Sequence, residues 1–278
     1  MQQTLIDWFD QNKRDLPWRN TTPWGVMVSE FMLQQTPVKR VLPVWEQWLT
    51  QWPTPADLAA AKRSEVITAW GRLGYPRRAI RLHECAKVIS EQFNNEIPRT
   101  LEELRGLPGI GEYTSAAICA FAFNQPTLVL DVNIRRLFAR YYDGVETPST
   151  SPSQYERKIR YELIPDQGAQ WAAATMEFGA LICTARNPAC DSCPIAQSCA
   201  WRDAGYPASE IVKKSQAWAG TDRQCRGVVV QALREKKIIT RSKLLALWHN
   251  DEQLDKALKT LLADGLIETT GKSYKLAD

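Results

Sequence analysis

The chain has 278 residues, of which 44% are hydrophobic, and a formal net charge of +4. This composition allows a large core and excludes an intrinsically disordered protein, so we expect two or three folded lobes. The first residues, MQQTLIDWFD, lack the basic start and apolar run of a secretory signal, and no stretch reaches the roughly 18 uncharged apolar residues of a membrane span. We expect a cytoplasmic protein with no membrane partner.

The N-terminal segment predicts a helix and then a connector. Residues 2–12 have an amphipathic pattern, and RDLPWRNTTPWG follows. Pro17 and Pro23 predict an extended connector there. Trp18 and Arg19 could stack on or hydrogen-bond a nucleobase or a phosphate, although core packing is the common alternative for a tryptophan.

The segment WGVMVSEFMLQQ, residues 24–35, is apolar nearly all round and predicts a buried helix. Glu30 lies in its middle, so its carboxyl group must either meet a partner or hold its proton near neutral pH, as a general acid does. A structural ion pair with an arginine is the alternative. Gln34 and Gln35 close the helix with two amides, which can read base edges but also occur at ordinary exposed helix ends.

Residues 38–124 contain further helical patterns separated by Pro and Gly, with little strand-like alternation, which predicts a compact all-α lobe. Seven basic and two acidic residues lie between Lys62 and Lys87. This local excess of positive charge predicts a face for a polyanion, and a solvated helix surface is the alternative.

The stretch LEELRGLPGIGEYTSAAICAFAF predicts two helices joined by a hairpin. Pro108 blocks helix continuation, while Gly109 and Gly111 permit positive φ and close approach of another molecule. The second helix should begin near Glu112 and point its free N–H groups toward the glycines. Such an end can hold a phosphate, and a tight helix connection without a ligand is the alternative.

Asp131 follows an apolar run at the predicted start of another helix, where it can serve as the N-cap and have its direction fixed. The helix also carries Arg135, Arg136 and Arg140. These guanidinium groups are available to phosphates or to acidic neighbours.

The seven cysteines form two groups. Cys85, Cys119 and Cys225 stand alone in helical patterns, which is typical of small buried residues in a reducing compartment. The other four have the spacing C-x6-C-x2-C-x5-C: Cys183, Cys190, Cys193 and Cys199. Four such thiolates can hold zinc or an iron–sulfur cluster, with two disulfides as the alternative. The long first spacing favours a 4Fe–4S cluster.

Taken together, LPGIGEYTSAAI, the run into Asp131 and the cysteine spacing resemble the helix-hairpin-helix DNA glycosylases that carry an iron–sulfur cluster. LPWR, VSEFMLQQTPV, WGRLGYPRRA and DVNIRR narrow the resemblance to the MutY-type adenine DNA glycosylases, over about residues 5–207. The resemblance implies an all-α fold of two helical lobes, a six-helix barrel and an iron–sulfur lobe, with the active site in the cleft between them. The implied domain bounds are 22–131 for the barrel, 1–21 with 132–207 for the iron–sulfur lobe, and 208–221 for a linker.

The reaction implied by the resemblance is hydrolysis of the N-glycosidic bond of an adenine mispaired with 8-oxoguanine or guanine, after the nucleotide has been flipped out of double-stranded DNA. Glu30 would protonate the leaving base. Asp131, kept ionised by its helix N-terminus, would stabilise the cationic sugar, and Asn133 would orient the sugar or the water.

The resemblance also implies a set of DNA contacts and a 4Fe–4S cluster held by the four clustered cysteines. The DNA-contacting residues would be Trp18, Arg19, Gln34, Gln35, Tyr75, Pro76, Arg77, Leu107, Gly109 and Gly111. Pro76 stands where many relatives have a tyrosine wedge, and it could still act as an apolar wedge. Val132 replaces a glycine of the family pattern.

Tyr113 determines the implied subclass. Related bifunctional glycosylases have a lysine at this hairpin position, whose amine forms a Schiff base and leads to strand cleavage. A phenol cannot do this, so a monofunctional glycosylase is implied.

Residues 222–278 depart from the resemblance, because typical members end in a larger β-rich domain that recognises 8-oxoguanine. RGVVVQALREK, RSKLLALWH and DEQLDKALKTLLADG predict three helices, and LIETTGKSYKL predicts a hairpin turning at 270–272. Together they resemble a winged helix. Its basic residues favour DNA contact, and a packing lid is the alternative.

Two other functions remain open at this point. One is thymine excision from T opposite G on the same scaffold, and the other is a non-enzymatic, cluster-bearing DNA-binding regulator. Under the main hypothesis the partner is double-stranded DNA containing mismatched adenine, bound by a monomer that acts in the cytoplasm at the nucleoid.

Overall fold

The computed structural model describes residues 1–209 and 218–278, so residues 210–217 of the predicted linker lie outside the described part. The described residues are mainly helical. The α-helices are α1 (Gln2–Asn12), α2 (Pro23–Leu33), α3 (Val38–Gln51), α4 (Pro55–Ala60), α5 (Arg63–Ala69), α6 (Arg77–Gln92), α7 (Leu101–Gly106), α8 (Glu112–Phe123), α9 (Val132–Tyr141), α10 (Gln154–Tyr161), α11 (Gly168–Leu181), α12 (Ala200–Asp203), α13 (Asp222–Lys236), α14 (Arg241–Trp248) and α15 (Asp251–Ala263). The strands are β1 (Ile238–Thr240), β2 (Ile267–Thr270) and β3 (Ser273–Leu276).

Several helices begin at a polar residue whose side chain accepts a hydrogen bond from the first turn. Thr54 and Asp57 form a capping box at the start of α4. Ser153, Thr221 and Asn250 cap α10, α13 and α15 in the same way. Because these side chains satisfy N–H groups that have no partner within the helix, they fix where each helix starts.

One compact unit contains residues 1–27, 99–106 and the described residues 110–209. Helix α11 packs against α1, α8 and α9. Its core includes Leu5, Ala117, Phe138 and Phe178. The Trp8 ring meets Phe178 edge to face, with 4.9 Å between the ring centroids. This core therefore holds α9 and the start of α8 in place.

The second compact unit contains residues 28–98, 107–109 and 218–278. Helix α6 packs against α4 and α5. Trp48 lies within this unit beside Trp52 and Trp70, with ring centroids 4.8 and 5.5 Å away, both edge-on. Trp48 and Trp70 are fully buried, so α3 and the end of α5 share a well-packed aromatic core.

The C-terminal part of the second unit, which we call the C-terminal module (residues 222–278), has the predicted three helices and hairpin. Strand β3 lies between β1 and β2, and all pairs are antiparallel. The sequence did not predict β1. The module's core includes Val229, Leu233 and Leu258, and it also takes in Ile67 of α5 and Ile80 of α6.

These observations confirm the all-α fold class with a small winged-helix-like part. The C-terminal module belongs to the second compact unit and shares a core with α5 and α6. The predicted domain bounds remain a prediction. The expected extended connector was wrong in one place, since Pro17–Arg19 forms a short 3-10 helix. Across residues 1–209 and 218–278, every helix is too short or too polar to cross a membrane.

Candidate active site and cysteine cluster

The turn between α7 and α8 has the predicted hairpin geometry. Gly109 has φ +81°, and a Cβ there would lie 2.8 Å from the Cβ of Arg81. Gly111 is the N-cap of α8 and brings no side chain to the first-turn N–H groups, with open space where its own Cβ would lie. These N–H groups can therefore receive an anion such as a phosphate. Leu107, for which DNA contact was also predicted, has a buried side chain.

Tyr113 lies in the first turn of α8. Its ring is partly buried and packs against the core that contains Ala116 and Ala117. The hairpin therefore presents a phenol, and no amine, at this position.

Asp131 is the N-cap of α9, as predicted. Its Oδ1 accepts a hydrogen bond from the backbone N–H of Ile134 at 2.6 Å, and its Oδ2 accepts one from Nδ2 of Asn133 at 2.8 Å. Both carboxyl oxygens are therefore engaged, and the direction of the group is fixed.

Asn133 is held in turn by Arg136 of the same helix. Nη2 of Arg136 donates to Oδ1 of Asn133 at 2.9 Å and to the carbonyl oxygen of Gly179 at 2.5 Å. Nε of Arg136 donates to the carbonyl oxygen of Cys183 at 2.8 Å. A Cβ at Gly179 would lie 2.7 Å from the Asn133 carbonyl oxygen, so the glycine permits this close approach of α11.

Opposing influences act on the pKa of Asp131 at the N-terminus of α9. Burial raises its pKa above the usual value and outweighs hydrogen bonds from Ile134 and Asn133 and the charge of Arg136, which act in the opposite direction. A carboxyl group in this setting gains from a nearby positive charge, because poor solvation strengthens their attraction.

The four clustered cysteines line one cavity together with Leu137, Arg140 and Trp201. This cavity is partly open to solvent. Four thiols that line one cavity fit an iron–sulfur cluster, which is a multi-atom group bound by cysteine thiolates.

Arg140 of α9 fixes one side of this cavity. Its Nη1 donates to the Thr184 carbonyl oxygen at 2.7 Å and to Sγ of Cys183 at 3.5 Å. Its guanidinium group lies 4.5 Å from the centroid of the Trp201 ring. Arg136 and Arg140, one turn apart, thus both hold the segment at Cys183, and Arg140 adds a positive charge beside the thiols.

Glu30 is buried on α2, with 5% of its surface exposed. The end of α2 is capped by Arg78 of α6. Nη1 of Arg78 donates to the main-chain oxygens of Phe31, Met32 and Gln34, at 2.8, 3.0 and 2.6 Å. A cation is favourable at this end of a helix, and here it satisfies carbonyl groups that lack intrahelical partners.

Arg78 also joins the two segments for which DNA contact was predicted. Its Nη2 donates to Oγ1 of Thr36 at 3.0 Å, and its guanidinium lies 5.8 Å from the centroid of the Tyr75 ring. Gln35 and Tyr75 are both exposed and both have positive φ, +54° and +47°. Pro76 is half-buried in front of α6.

Trp18 and Arg19 are more enclosed than expected for residues that contact a base. Trp18 is buried, at 9% exposure. Arg19 pairs with Glu177 of α11 at 3.1 Å, and Arg14 pairs with the same carboxylate at 2.6 Å. Burial opposes ionisation of Glu177, but the hydrogen bonds from Arg14 and the charges of both arginines outweigh it and lower the pKa. The role of Trp18 and Arg19 in DNA contact remains a prediction.

Comparison with known proteins assigns the chain to a family. Residues 28–162 match the family described as HhH-GPD superfamily base excision DNA repair protein. The adenine DNA glycosylase of Mycolicibacterium smegmatis is 46% identical over 271 residues, which cover 96% of this chain and 92% of that protein. The chain belongs to the adenine DNA glycosylase family. Human adenine DNA glycosylase is 40% identical to this glycosylase over 208 residues, 70% of this chain and 38% of the human protein.

The cofactor prediction is confirmed at the level of an iron–sulfur binding domain. Residues 183–199 of this glycosylase match the iron-sulfur binding domain of endonuclease III. Cys183, Cys190, Cys193 and Cys199 are the residues that would hold the cluster.

Solved structures support the fold. A thermostable thymine-DNA glycosylase superposes with a TM-score of 0.68 at 25% identity, covering 73% of this chain and 94% of that one. A non-covalent endonuclease III–DNA complex gives a TM-score of 0.63 at 20% identity, with 73% and 94% covered. The second likeness concerns the fold alone.

Sequence reasoning missed the roles of Arg78 and Glu177. Glu177 carries the same signal as Glu30, since it is a carboxylate in the middle of an apolar helix, GAQWAAATMEFGAL. In the sequence, Arg78 is one of the seven basic residues between Lys62 and Lys87, and this local charge does not indicate its main-chain partners. Arg135 did find an acidic neighbour, Glu156 at 2.7 Å.

Proposed function

We propose that this glycosylase hydrolyses the N-glycosidic bond of adenine mispaired with 8-oxoguanine or guanine, acting as a monomer on double-stranded DNA at the nucleoid. The observation that carries the proposal is the fixed Asp131 carboxyl group, hydrogen-bonded by Ile134 and Asn133 at the N-terminus of α9. Membership of the adenine DNA glycosylase family supports it and argues against a non-enzymatic regulator.

Asp131 would act on the sugar. Departure of the base leaves positive charge at the anomeric carbon, and a preorganised carboxylate stabilises it without having to reorient. Burial disfavours the ionised carboxyl group in the free protein, so the developing cation is the partner that favours it. Asn133, bonded to Oδ2 of Asp131, would orient the sugar or the attacking water.

Glu30 would act on the base. Adenine becomes a good leaving group when a ring nitrogen is protonated, and a buried carboxyl group on an apolar helix is suited to be the proton donor. Arg78 holds the end of the same helix through three carbonyl oxygens, so the backbone that carries Glu30 is fixed.

The hairpin would hold the DNA backbone while the nucleotide is flipped, which costs a few kcal/mol in lost stacking and pairing. The N–H groups at the start of α8 and the close approach allowed by Gly109 and Gly111 support this role. Gln34, Gln35, Tyr75, Pro76 and Arg77 would contact the bases near the flipped nucleotide.

Tyr113 supports a monofunctional reaction. A Schiff base needs an amine, and the hairpin position carries a phenol. The product would be an intact strand with an abasic site.

The test is base release from duplexes that contain A opposite 8-oxoguanine, A opposite guanine, or T opposite guanine. We expect adenine release from the first two and no strand nicking unless heat or alkali is added. No adenine release from either duplex would overturn the proposal, and nicking at the rate of base release would overturn its monofunctional part.

Thymine excision is the second candidate, because the thermostable thymine-DNA glycosylase superposes with a TM-score of 0.68. The T:G duplex discriminates directly. Release of thymine faster than adenine would favour this candidate.

A further inference from the structure

Tyr75 has a backbone conformation that needs support. Its φ is +47°, directly after Gly74 at φ +83°, and positive φ is unfavourable for a bulky side chain. Its ring is nevertheless 48% exposed. An exposed aromatic residue in a strained conformation persists only where its surroundings fix it, and such residues are typical of contact sites.

Residues close to Tyr75 in the chain support it. Arg78, the second residue of α6, lies 5.8 Å from the Tyr75 ring centroid and 5.2 Å from that of buried Trp70. The same guanidinium donates to the carbonyl oxygen of Gly74 at 3.2 Å. The segment is therefore anchored in part by residues close to it in the chain.

The C-terminal module also contacts the segment. Nη1 of Arg223 donates to the phenol oxygen of Tyr75 at 3.1 Å. Oδ1 of Asp264 lies 3.4 Å from Nη1 of Arg77, while Oδ2 of Asp264 accepts from Arg226 at 2.5 Å. Two residues of the module thus contact Tyr75 and Arg77, which lie about 150 and 190 positions earlier.

The C-terminal module packs firmly against α5 and α6, so the residues through which it contacts Tyr75 and Arg77 are held in place. Its core includes Ile67 and Ile80, and Ile80 lies on α6 only three residues after Arg77. Nε of Arg234 donates to the Ile67 carbonyl oxygen at 3.1 Å, and burial lowers the pKa of Arg234 to about 10. Oγ of Ser64 donates to Asp278 at 2.5 Å. The module cannot move from α5 and α6 without exposing apolar surface.

We propose that the C-terminal module positions the Tyr75–Arg77 segment for DNA, with Arg223 and Asp264 as positioning residues that act through Tyr75 and Arg77. This inference rests on the proposed function, in which that segment contacts the DNA. It gives the module a role distinct from binding phosphates with its lysines. Arg223 lowers the cost of ordering Tyr75, so its contribution passes through the phenol group.

The test is a double-mutant cycle in the full-length protein with Tyr75→Phe, which removes only the phenol oxygen, and Arg223→Gln. The probe is a duplex with a tetrahydrofuran abasic analogue opposite 8-oxoguanine and 2-aminopurine beside it. Affinity and 2-aminopurine fluorescence report binding and base unstacking. We expect each single variant to weaken binding about two- to fivefold, the range of an exposed charged contact, and the double variant to be no weaker than either.

A second readout separates positioning from direct contact. Replacing a residue that binds a phosphate reduces the magnitude of the slope of log affinity against log salt by about one, whereas replacing a positioning residue leaves the slope unchanged. Lys259→Gln is the matched control, since Lys259 is an exposed cation of α15 in the same module. We expect it to leave affinity and fluorescence unchanged.

The inference is overturned if Arg223→Gln lowers the affinity for DNA equally in the wild-type and Tyr75→Phe proteins. A reduced salt slope for Arg223→Gln would also overturn it, and so would a loss of affinity in Lys259→Gln as large as that in Arg223→Gln. No loss on Arg223→Gln would overturn it as well. If Tyr75→Ala leaves binding intact, the assignment of Tyr75 to the DNA contact fails instead, and absence of adenine release by the wild type marks failure of the proposed function itself.

Discussion

Arg136 joins Asn133 to the cysteine cluster. One guanidinium nitrogen donates to Oδ1 of Asn133 at 2.9 Å, while Nε donates to the carbonyl oxygen of Cys183 at 2.8 Å. Nδ2 of Asn133 in turn donates to Oδ2 of Asp131 at 2.8 Å, so Arg136 restrains Asp131 through Asn133. A continuous set of hydrogen bonds therefore runs from the cysteine loop to the carboxyl group proposed to act on the sugar.

Replacing Arg136 by Gln should slow adenine release about 10- to 100-fold, because hydrogen bonds to a charged donor contribute about 1.5–3 kcal/mol and the orientation of Asp131 depends on them. The measurement is the single-turnover rate at saturating DNA. Arg135→Gln is the matched control, since Arg135 pairs with Glu156 and does not contact Asn133. It should lower the melting temperature and spare the rate. A rate loss equal to that of Arg136→Gln would show that any buried arginine of α9 matters equally.

The sequence predicted the helices with clear apolar periodicity, the hairpin at Gly109 and the cap at Asp131, because local rules determine these features. It did not predict β1, whose three residues are too few to show alternation. It also could not assign Arg78, whose carbonyl partners lie up to 47 positions away, since main-chain acceptors leave no mark in the sequence. Partners set by tertiary packing are thus the part that required the structure.

Glu30→Gln and Asp131→Asn should each lower the rate of adenine release by about 10²- to 10⁴-fold while DNA affinity stays within a few-fold of wild type. Each replacement keeps the size of the side chain, and the asparagine can still accept the N–H of Ile134. Exposed Glu162→Gln is the control. A variant with lost affinity and an unchanged single-turnover rate would assign its residue to binding only.

Tyr113→Lys should introduce strand nicking, since an amine at this position could attack the anomeric carbon and form a Schiff base that the phenol cannot. The measurements are nicking without heat or alkali and covalent trapping of the DNA by borohydride. Tyr113→Phe serves as the control and should show neither. If the lysine variant releases adenine without any trapped complex, position 113 does not face the sugar.

His83 should make stability depend on pH. It is 1% exposed, and burial, followed by the nearby charge of Lys87, lowers its pKa from the usual 6.5. The folded state therefore favours the neutral ring, and this contribution is present above pH 6.5 and lost as the pH falls through that range. The melting temperature of the wild type should fall more steeply between pH 7.5 and 5.5 than that of His83→Gln. An equally steep fall in His83→Gln would show that other groups set the pH dependence of stability.

Gly109→Ala should weaken DNA binding about tenfold. The φ of +81° costs a residue with a side chain about 1–2 kcal/mol, and the new Cβ would lie 2.8 Å from Cβ of Arg81 and 3.0 Å from Cε1 of Phe31. The turn must shift, and with it the N–H groups proposed to hold the phosphate.

Gly106→Ala is the matched control for this hairpin, because a Cβ at Gly106 meets nothing within 4 Å. It should leave affinity unchanged. Affinity for the abasic-analogue duplex and the melting temperature should be measured together, since a fold defect lowers both. Intact affinity in a folded Gly109→Ala protein would mean that the hairpin backbone does not carry the phosphate contact, and the N–H groups of α8 would lose their proposed role.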